Sequence, residues 1–222
     1  ADGIQQVDVS IFELLLEGGI YIMAPLALMS MIAIYVFIER TLAIRKAEKV
    51  APDFMDKIRD YISQGSFDSA RNLCQDSDTP MARMLDKGIS RIGKDLKDIS
   101  VAIENIGKLE IYNLEKNLSS LATVAGAAPM VGFLGTVIGM VKVFTAITTH
   151  GVGNPTVLAG GIAEALITTA AGLTVAIPSL IGYRYYRSRV DTLVVDMEKE
   201  AIKLVEALHA LRRLLVRAAG LC

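Results

Sequence analysis

The sequence has no tryptophan, two histidines, two cysteines and six prolines in 222 residues, and aromatic residues make up only 6% of it. Each shortage excludes something. His150 and His209 fall on opposite sides of the membrane in the topology derived below, so no zinc site can be assembled from them in one chain. Cys74 and Cys222 both fall on the cytoplasmic side, which argues against a disulfide. The chain carries no HExxH pair, no GxSxG nucleophile turn and no phosphate-cradling loop, so neither an enzyme nor a cofactor is expected. With 23 Lys and Arg against 24 Asp and Glu, the formal net charge of −1 excludes no partner by itself. The cations cluster beside apolar runs, where topology and anionic lipid require them, and form no nucleic-acid-binding signature. Strand-like alternation, repeats and low-complexity tracts are all missing.

What the chain has is long apolar runs, with hydrophobic residues at 52%. Ile20–Ile38, Leu118–Val141 (continuing past Lys142 towards Thr148) and a run from about Thr156 to Tyr183 can each span a bilayer. Such a span needs about 20 helical residues. The first run is too long for the apolar core of a signal peptide and has no cleavage-like flank. Residues 1–19 and 149–155 hold no Lys or Arg, whereas Arg40, Arg45, Lys46 and Lys49 follow the first run. Lys108 and Lys116 precede the second run, and Arg184, Arg187 and Arg189 follow the third. The positive-inside rule then puts the N-terminus outside and the C-terminus in the cytoplasm. The expected fold is an all-α integral membrane protein with three transmembrane helices. Helices two and three extend into the cytoplasm, and a helical cytoplasmic domain completes it.

Segment by segment, residues 1–19 read as a short outer amphipathic piece and 20–38 as transmembrane helix 1. Residues 39–117 form the cytoplasmic helical domain, 118–148 transmembrane helix 2, 149–155 the outer turn, 156–183 transmembrane helix 3 and 184–222 a cytoplasmic C-terminal helix. Breaks at Pro52, Gly65-Ser66 and Thr79-Pro80 mark short helices over 53–64, 67–75 and 80–92. A helix from near Ile99 is expected to run unbroken into the second span. Val190, Val194, Met197, Ala201, Leu204, Leu208, Leu211 and Leu215 form a heptad seam, which packs either within the subunit or against a neighbour.

The charge pattern inside the spans singles out one residue. Glu164 is the only formally charged group from Val143 to Tyr183. A charge at the centre of a membrane helix costs at least about 2.5–3.5 kcal/mol, so it usually faces a partner or a water-filled path. Glu164 shares a helical face with Thr168, Ala171 and Val175, which lets Thr168 bond it at i,i+4. Thr169 lies on the next stripe with Ala165, Gly172 and Ala176. A structural carboxylate that fixes helix packing is the plainer alternative for Glu164. Helix-packing candidates are Pro129, Gly132, Gly135 and Gly139 in the second span and Gly172 and Pro178 in the third; the glycines permit close helix approach, and Pro129 is expected to kink its helix. Thr136 is the only hydroxyl on its stripe, with bonding back to its own helix as the plain account. Lys142 either snorkels to the outer interface or pairs with Glu164 across the hairpin.

Pro129-Met-Val-Gly-Phe-Leu-Gly-Thr-Val-Ile-Gly-Met140 followed by Gly161-Ile-Ala-Glu-Ala-Leu-Ile-Thr-Thr-Ala-Ala-Gly-Leu173 resembles the ExbB/TolQ/MotA family of proton-channel subunits. Thr79-Pro80 with Ala82-Arg83-Met84-Leu85 is similar to that family's loop, and the likeness covers most of the chain. MotA-type subunits have four spans, so three spans point to the ExbB/TolQ branch, with ExbB ahead of TolQ. The resemblance implies a bacterial inner-membrane homopentamer whose second and third helices line a pore. It also implies an ExbD/TolR-like single-span partner with a membrane Asp, and a TonB-like protein that carries proton-motive energy to outer-membrane transport. In that family the threonines matching Thr136 and Thr169 face the pore, and the carboxylate matching Glu164 is functionally important. Thr168 joins them here as a candidate through its place beside Glu164. A TolQ-like subunit of a Tol-Pal-type envelope system is the alternative role, and a non-conducting membrane scaffold is the alternative class.

Overall fold

The computed structural model describes residues 18–49, 53–150 and 155–219, which form seven α-helices and no strand. These are α1 (Ile20–Ala47), α2 (Phe54–Ser63), α3 (Phe67–Ser77), α4 (Pro80–Ile89), α5 (Leu96–Glu115), α6 (Leu118–His150) and α7 (Pro155–Ala219). Three stretches are long and apolar enough to cross a membrane, one in α1, one in the run that contains α6 and one in α7. At 1.5 Å per residue, the 33 residues of α6 make a rod of about 50 Å, against a hydrocarbon core of about 30 Å. The amphipathic piece expected over 1–19 lies outside the described residues up to Glu17, and Gly151–Asn154 of the outer turn lie outside them too.

The chain folds as two compact units, one built on residues to Ile38 with Asn117–Arg184, the other on Glu39–Lys116 and the chain from Tyr185 onward. In the first, Ile22, Met23 and Leu26 of α1 meet Ala128 of α6 and Ala176 of α7, with Met29, Val131, Ala171 and Val175 packed around them. The other faces of these helices stay apolar and exposed, at Met130, Phe133, Leu166 and Ile181 among others. In water such a surface would associate. In a bilayer the hydrocarbon chains solvate it, and helix association rests on close packing instead.

The second unit is a small helical domain with a conventional apolar core. Phe54, Ile58 and Ile62 of α2, Ala70 and Cys74 of α3, Leu85 and Ile89 of α4 and Ile99 and Ile103 of α5 are all buried. Local chemistry places the helix starts: the Thr79 hydroxyl accepts from the Ala82 N–H at 3.3 Å with Pro80 at the first helical position, and the Asp95 carboxylate accepts from the Leu96 N–H at 2.8 Å. The seam on α7 packs inside this unit, with Val190, Met197, Leu204 and Leu208 buried. Gly88 marks the meeting of α4, α5 and α7. A side chain there would stand 2.7 Å from Ile103 and 3.0 Å from Leu204.

The helix expected to run unbroken into the second span is interrupted. Lys116 leaves the helical region at ψ 139°, and Asn117 takes a left-handed φ of +68°, a conformation Asn tolerates better than most residues. Asn117 then accepts from the Ser120 and Leu121 N–H groups to begin α6. The C-terminal end of α5 has no basic residue of its own in its last turn. The buried Arg40 side chain fills that role, donating to the carbonyls of Leu114 at 2.9 Å and Asn113 at 3.2 Å. The break has no Pro or Gly to announce it.

Burial also silences the one described cysteine. Loss of hydration, reinforced by the nearby Asp86 carboxylate, pushes the Cys74 thiol up to about 12. The thiolate is the reactive form, so at pH 8 the folded protein is expected to leave Cys74 unmodified by iodoacetamide. The denatured chain should react readily. Peptide mass mapping of both samples checks this, and equal labelling would contradict the burial.

Candidate ion-path site in the helical hairpin

The site is built on the packing of α6 against α7. Ala128, Gly132, Gly135 and Gly139 recur every three or four residues along α6, and Gly161, Ala165, Thr168 and Gly172 do the same along α7. The two backbones therefore touch. A Cβ on Gly132 would lie 2.9 Å from the Thr168 carbonyl, and one on Gly172 would lie 2.7 Å from the Ala128 carbonyl. Higher up, a Cβ on Gly139 would lie 2.9 Å from the Ala165 methyl and 3.0 Å from the Gly161 carbonyl. Gly135 faces the Thr168 side chain directly. Both prolines sit within unbroken helices. Pro178 lies exposed along a groove with Ser30, Phe37, Leu121 and Ser179.

The candidate hydroxyls separate by environment. Thr168 is fully buried, and its hydroxyl donates to the backbone carbonyls of Ala165 at 2.9 Å and Glu164 at 3.1 Å. It fills the notch that Gly135 leaves, so the structure places it in the helix–helix seam. The bond expected to the Glu164 side chain goes to that residue's main chain instead. Thr169 is half-buried and donates across the hairpin to the Gly132 carbonyl at 3.3 Å. Thr136 is half-buried too, with its hydroxyl donating to the Phe133 carbonyl at 2.5 Å within its own helix.

Glu164 meets Lys142. The ammonium of Lys142 on α6 lies 2.5 Å from Oε1 of Glu164 on α7, with the carboxylate side chain 17% exposed and the lysine 56% exposed. Of the two alternatives the sequence leaves for Lys142, the ion pair is the one formed. The pair joins the only two formally charged residues between Asn117 and Tyr183, so the formal charges of that apolar stretch sum to zero within one hairpin. A third element adjoins it that sequence reasoning did not connect to this carboxylate. Gly19, at the start of α1, has φ +74°, and a Cβ there would stand 2.5 Å from the same Oε1. The Gly18-Gly19 pair before the first span is visible in the sequence. Its contact with a residue far along the chain is not.

Comparison with known proteins points to one family. The family model of the MotA/TolQ/ExbB proton channel family matches residues 76–199, which contain the whole hairpin. An ExbB homologue of Methanothermobacter thermautotrophicus is 28% identical over 195 residues, covering 85% of this chain and 67% of the relative. The biopolymer transport protein ExbB of Aquifex aeolicus is 45% identical over 85 residues, covering 38% of this chain and 57% of the relative. The Tol-Pal system protein TolQ of Haemophilus influenzae is 38% identical over 100 residues, 45% of this chain and 44% of that protein.

Proposed function

The chain belongs to the MotA/TolQ/ExbB proton channel family, and from that premise we propose that it is the channel-forming subunit of an ExbB–ExbD–TonB-like motor. In this reading it sits in a bacterial inner membrane with its N-terminus outside and its C-terminus in the cytoplasm. It assembles as a homopentamer around ExbD/TolR-like single-span helices that carry a membrane Asp, and a TonB-like protein takes the output to the outer membrane. The observation that supports the reading most strongly is that the family match covers a hairpin holding the only formal membrane charges, Lys142 and Glu164.

The chemistry divides the work between chains. The hydroxyls of Thr136 and Thr169 can relay a proton by accepting one hydrogen bond while donating another, but they cannot store it. Proton storage needs a titrating group, and the partner's Asp supplies one beside the hydroxyls. Glu164 stands near the end of the hairpin at which α6 ends and α7 begins, where it tunes entry to the path. Thr168 serves the helix seam. A TolQ-like role in a Tol-Pal-type envelope system is the second reading, favoured by the 38% identity to a TolQ protein.

The test is proton flux into liposomes holding the chain with its single-span partner. Glu164→Gln, Thr136→Val and Thr169→Val are each expected to lower flux at least about tenfold, the equivalent of ~1.4 kcal/mol of barrier. Assembly on a sizing column should stay intact. Full flux in all three variants refutes the proton path, and loss of the oligomer in Glu164→Gln points to the scaffold. Complementation of strains lacking either envelope system separates the two roles.

A further inference from the structure

We propose that Glu164 is seated in a socket built by all three membrane helices, in which Lys142 is the positioning cation and Gly19 is the backbone position that makes room for the carboxylate. The proposal rests on the reading above, in which Glu164 belongs to the ion path, and it assigns two residues that the family resemblance does not.

Two observations converge on one oxygen atom. Lys142 comes from α6, twenty-two positions before Glu164 in sequence, and its ammonium contacts Oε1. Gly19 comes from the other end of the chain, and the same Oε1 occupies the space where its side chain would begin, with Cδ 3.5 Å away. Gly19 also starts α1, its carbonyl accepting from the N–H groups of Ile22 and Met23 at 3.1 Å each. The carboxylate thus lies beside the positive, N-terminal end of α1. Among the described residues of the three spans, no formally charged group other than Lys142 shares the bundle with Glu164. A carboxylate only 17% exposed, bonded by one lysine and flanked by a glycine backbone, has few other orientations. Lys142 therefore aims Glu164 rather than merely neutralising it.

Gly19 carries the sharper test, because its two constraints can be separated. Any side chain there is strained by the φ of +74°, and it must also displace Oε1. Gly65 has nearly the same φ, +73°, with nothing within 4 Å of a built Cβ, so Gly65→Ala reports the backbone strain alone. In thermal unfolding of the full chain in nanodiscs, Gly19→Ala is expected to lower Tm by at least about 4 °C more than Gly65→Ala. In a Glu164→Ala background the two glycine substitutions should become equivalent. If Gly19→Ala matches Gly65→Ala in the parent chain, or stays worse without Glu164, the socket does not exist.

Positioning is read by proton flux in the partner-containing liposomes, compared at equal amounts of assembled complex. Lys142→Met should lower flux at least about tenfold, as the mostly buried carboxylate loses its ionic partner and is misplaced. Lys142→Arg, which keeps the charge and reach, should retain at least about half of it. If Glu164→Gln abolishes flux while Lys142→Met leaves it unchanged, the positioning role is overturned and the proton path stands. The same holds if Lys142→Arg fails along with Lys142→Met. If Glu164→Gln conducts normally, the ion-path reading fails, while the unfolding cycle still decides whether the socket exists.

Discussion

Gly172→Val is expected to drive α6 and α7 apart and to abolish the hairpin's function together with its packing. The first atom of any side chain at Gly172 meets backbone: the Ala128 carbonyl at 2.7 Å and Gly132 at 3.1 Å. No rotamer change relieves that contact, because neither partner is a side chain. Overpacking of a well-packed contact costs about 1–3 kcal/mol, and more where backbone must move. The expected loss here is at least about 3 kcal/mol, and it falls in a membrane, where association rests on close approach. Gly160 and Gly126 provide the internal comparison, since a Cβ at either meets nothing within 4 Å. Alanine there should be neutral, or stabilising by up to about 1 kcal/mol through helix propensity. Thermal unfolding of the three variants in one detergent checks the ordering. A Gly172→Val protein as stable as Gly160→Ala would show that the seam is not tight.

Arg83→Met is the second large effect, and it falls in the second unit. The guanidinium grips Glu110 with both arms, Nε to Oε1 at 2.9 Å and Nη2 to Oε2 at 2.7 Å, and its third nitrogen binds the Asp78 carboxylate at 2.8 Å and its carbonyl at 3.1 Å. Glu110 is the buried member, its side chain 9% exposed against 42% for Arg83. Removing one partner of a fully buried pair costs ~3–5 kcal/mol, because it strands the other charge. Partial exposure of Arg83 lets water screen the remainder, so about 2–3 kcal/mol is expected. Denaturant unfolding of the variant gives this directly. Glu110→Gln in the Arg83→Met background should recover part of the loss, because no charge is then stranded. If it recovers none, the damage came from lost packing of the arginine stem.

The same network bears on acid stability. Lys46 and Arg83 hydrogen-bond the Asp78 carboxylate and hold it below the usual carboxylate range. A depressed folded value means the contribution is complete above the unfolded value and disappears as pH falls through the folded one. The position is open to solvent, so salt screens the effect.

Much of the fold was legible because it is written locally. The short helices read over 53–64, 67–75 and 80–92 are found at Phe54–Ser63, Phe67–Ser77 and Pro80–Ile89. Their ends depend on Pro80, a Thr79 cap and apolar spacing within one or two turns. α4 ends at Ile89, short of the expected 92, because Ser90–Ile92 continue only as turns, with Arg91 N–H bonding the Gly88 carbonyl and Ile92 N–H that of Ile89. The break at Lys116–Asn117 is not written locally. The carbonyl of Leu114 just before it is bound by Arg40, seventy-four positions away.

By itself the sequence determined three membrane-crossing helices, the small-residue faces of the hairpin and a lone intramembrane carboxylate. Those follow from hydropathy and a period of 3.6 residues, which each residue carries regardless of its neighbours. Only the tertiary structure decided who meets whom. It turned Thr168 into the seam and bonded Thr169 to the opposite helix. It closed the Lys142–Glu164 pair and brought Gly19 against the same oxygen. Those contacts depend on the relative depth and rotation of separate helices, which steric fit at the glycines sets and no single helix encodes.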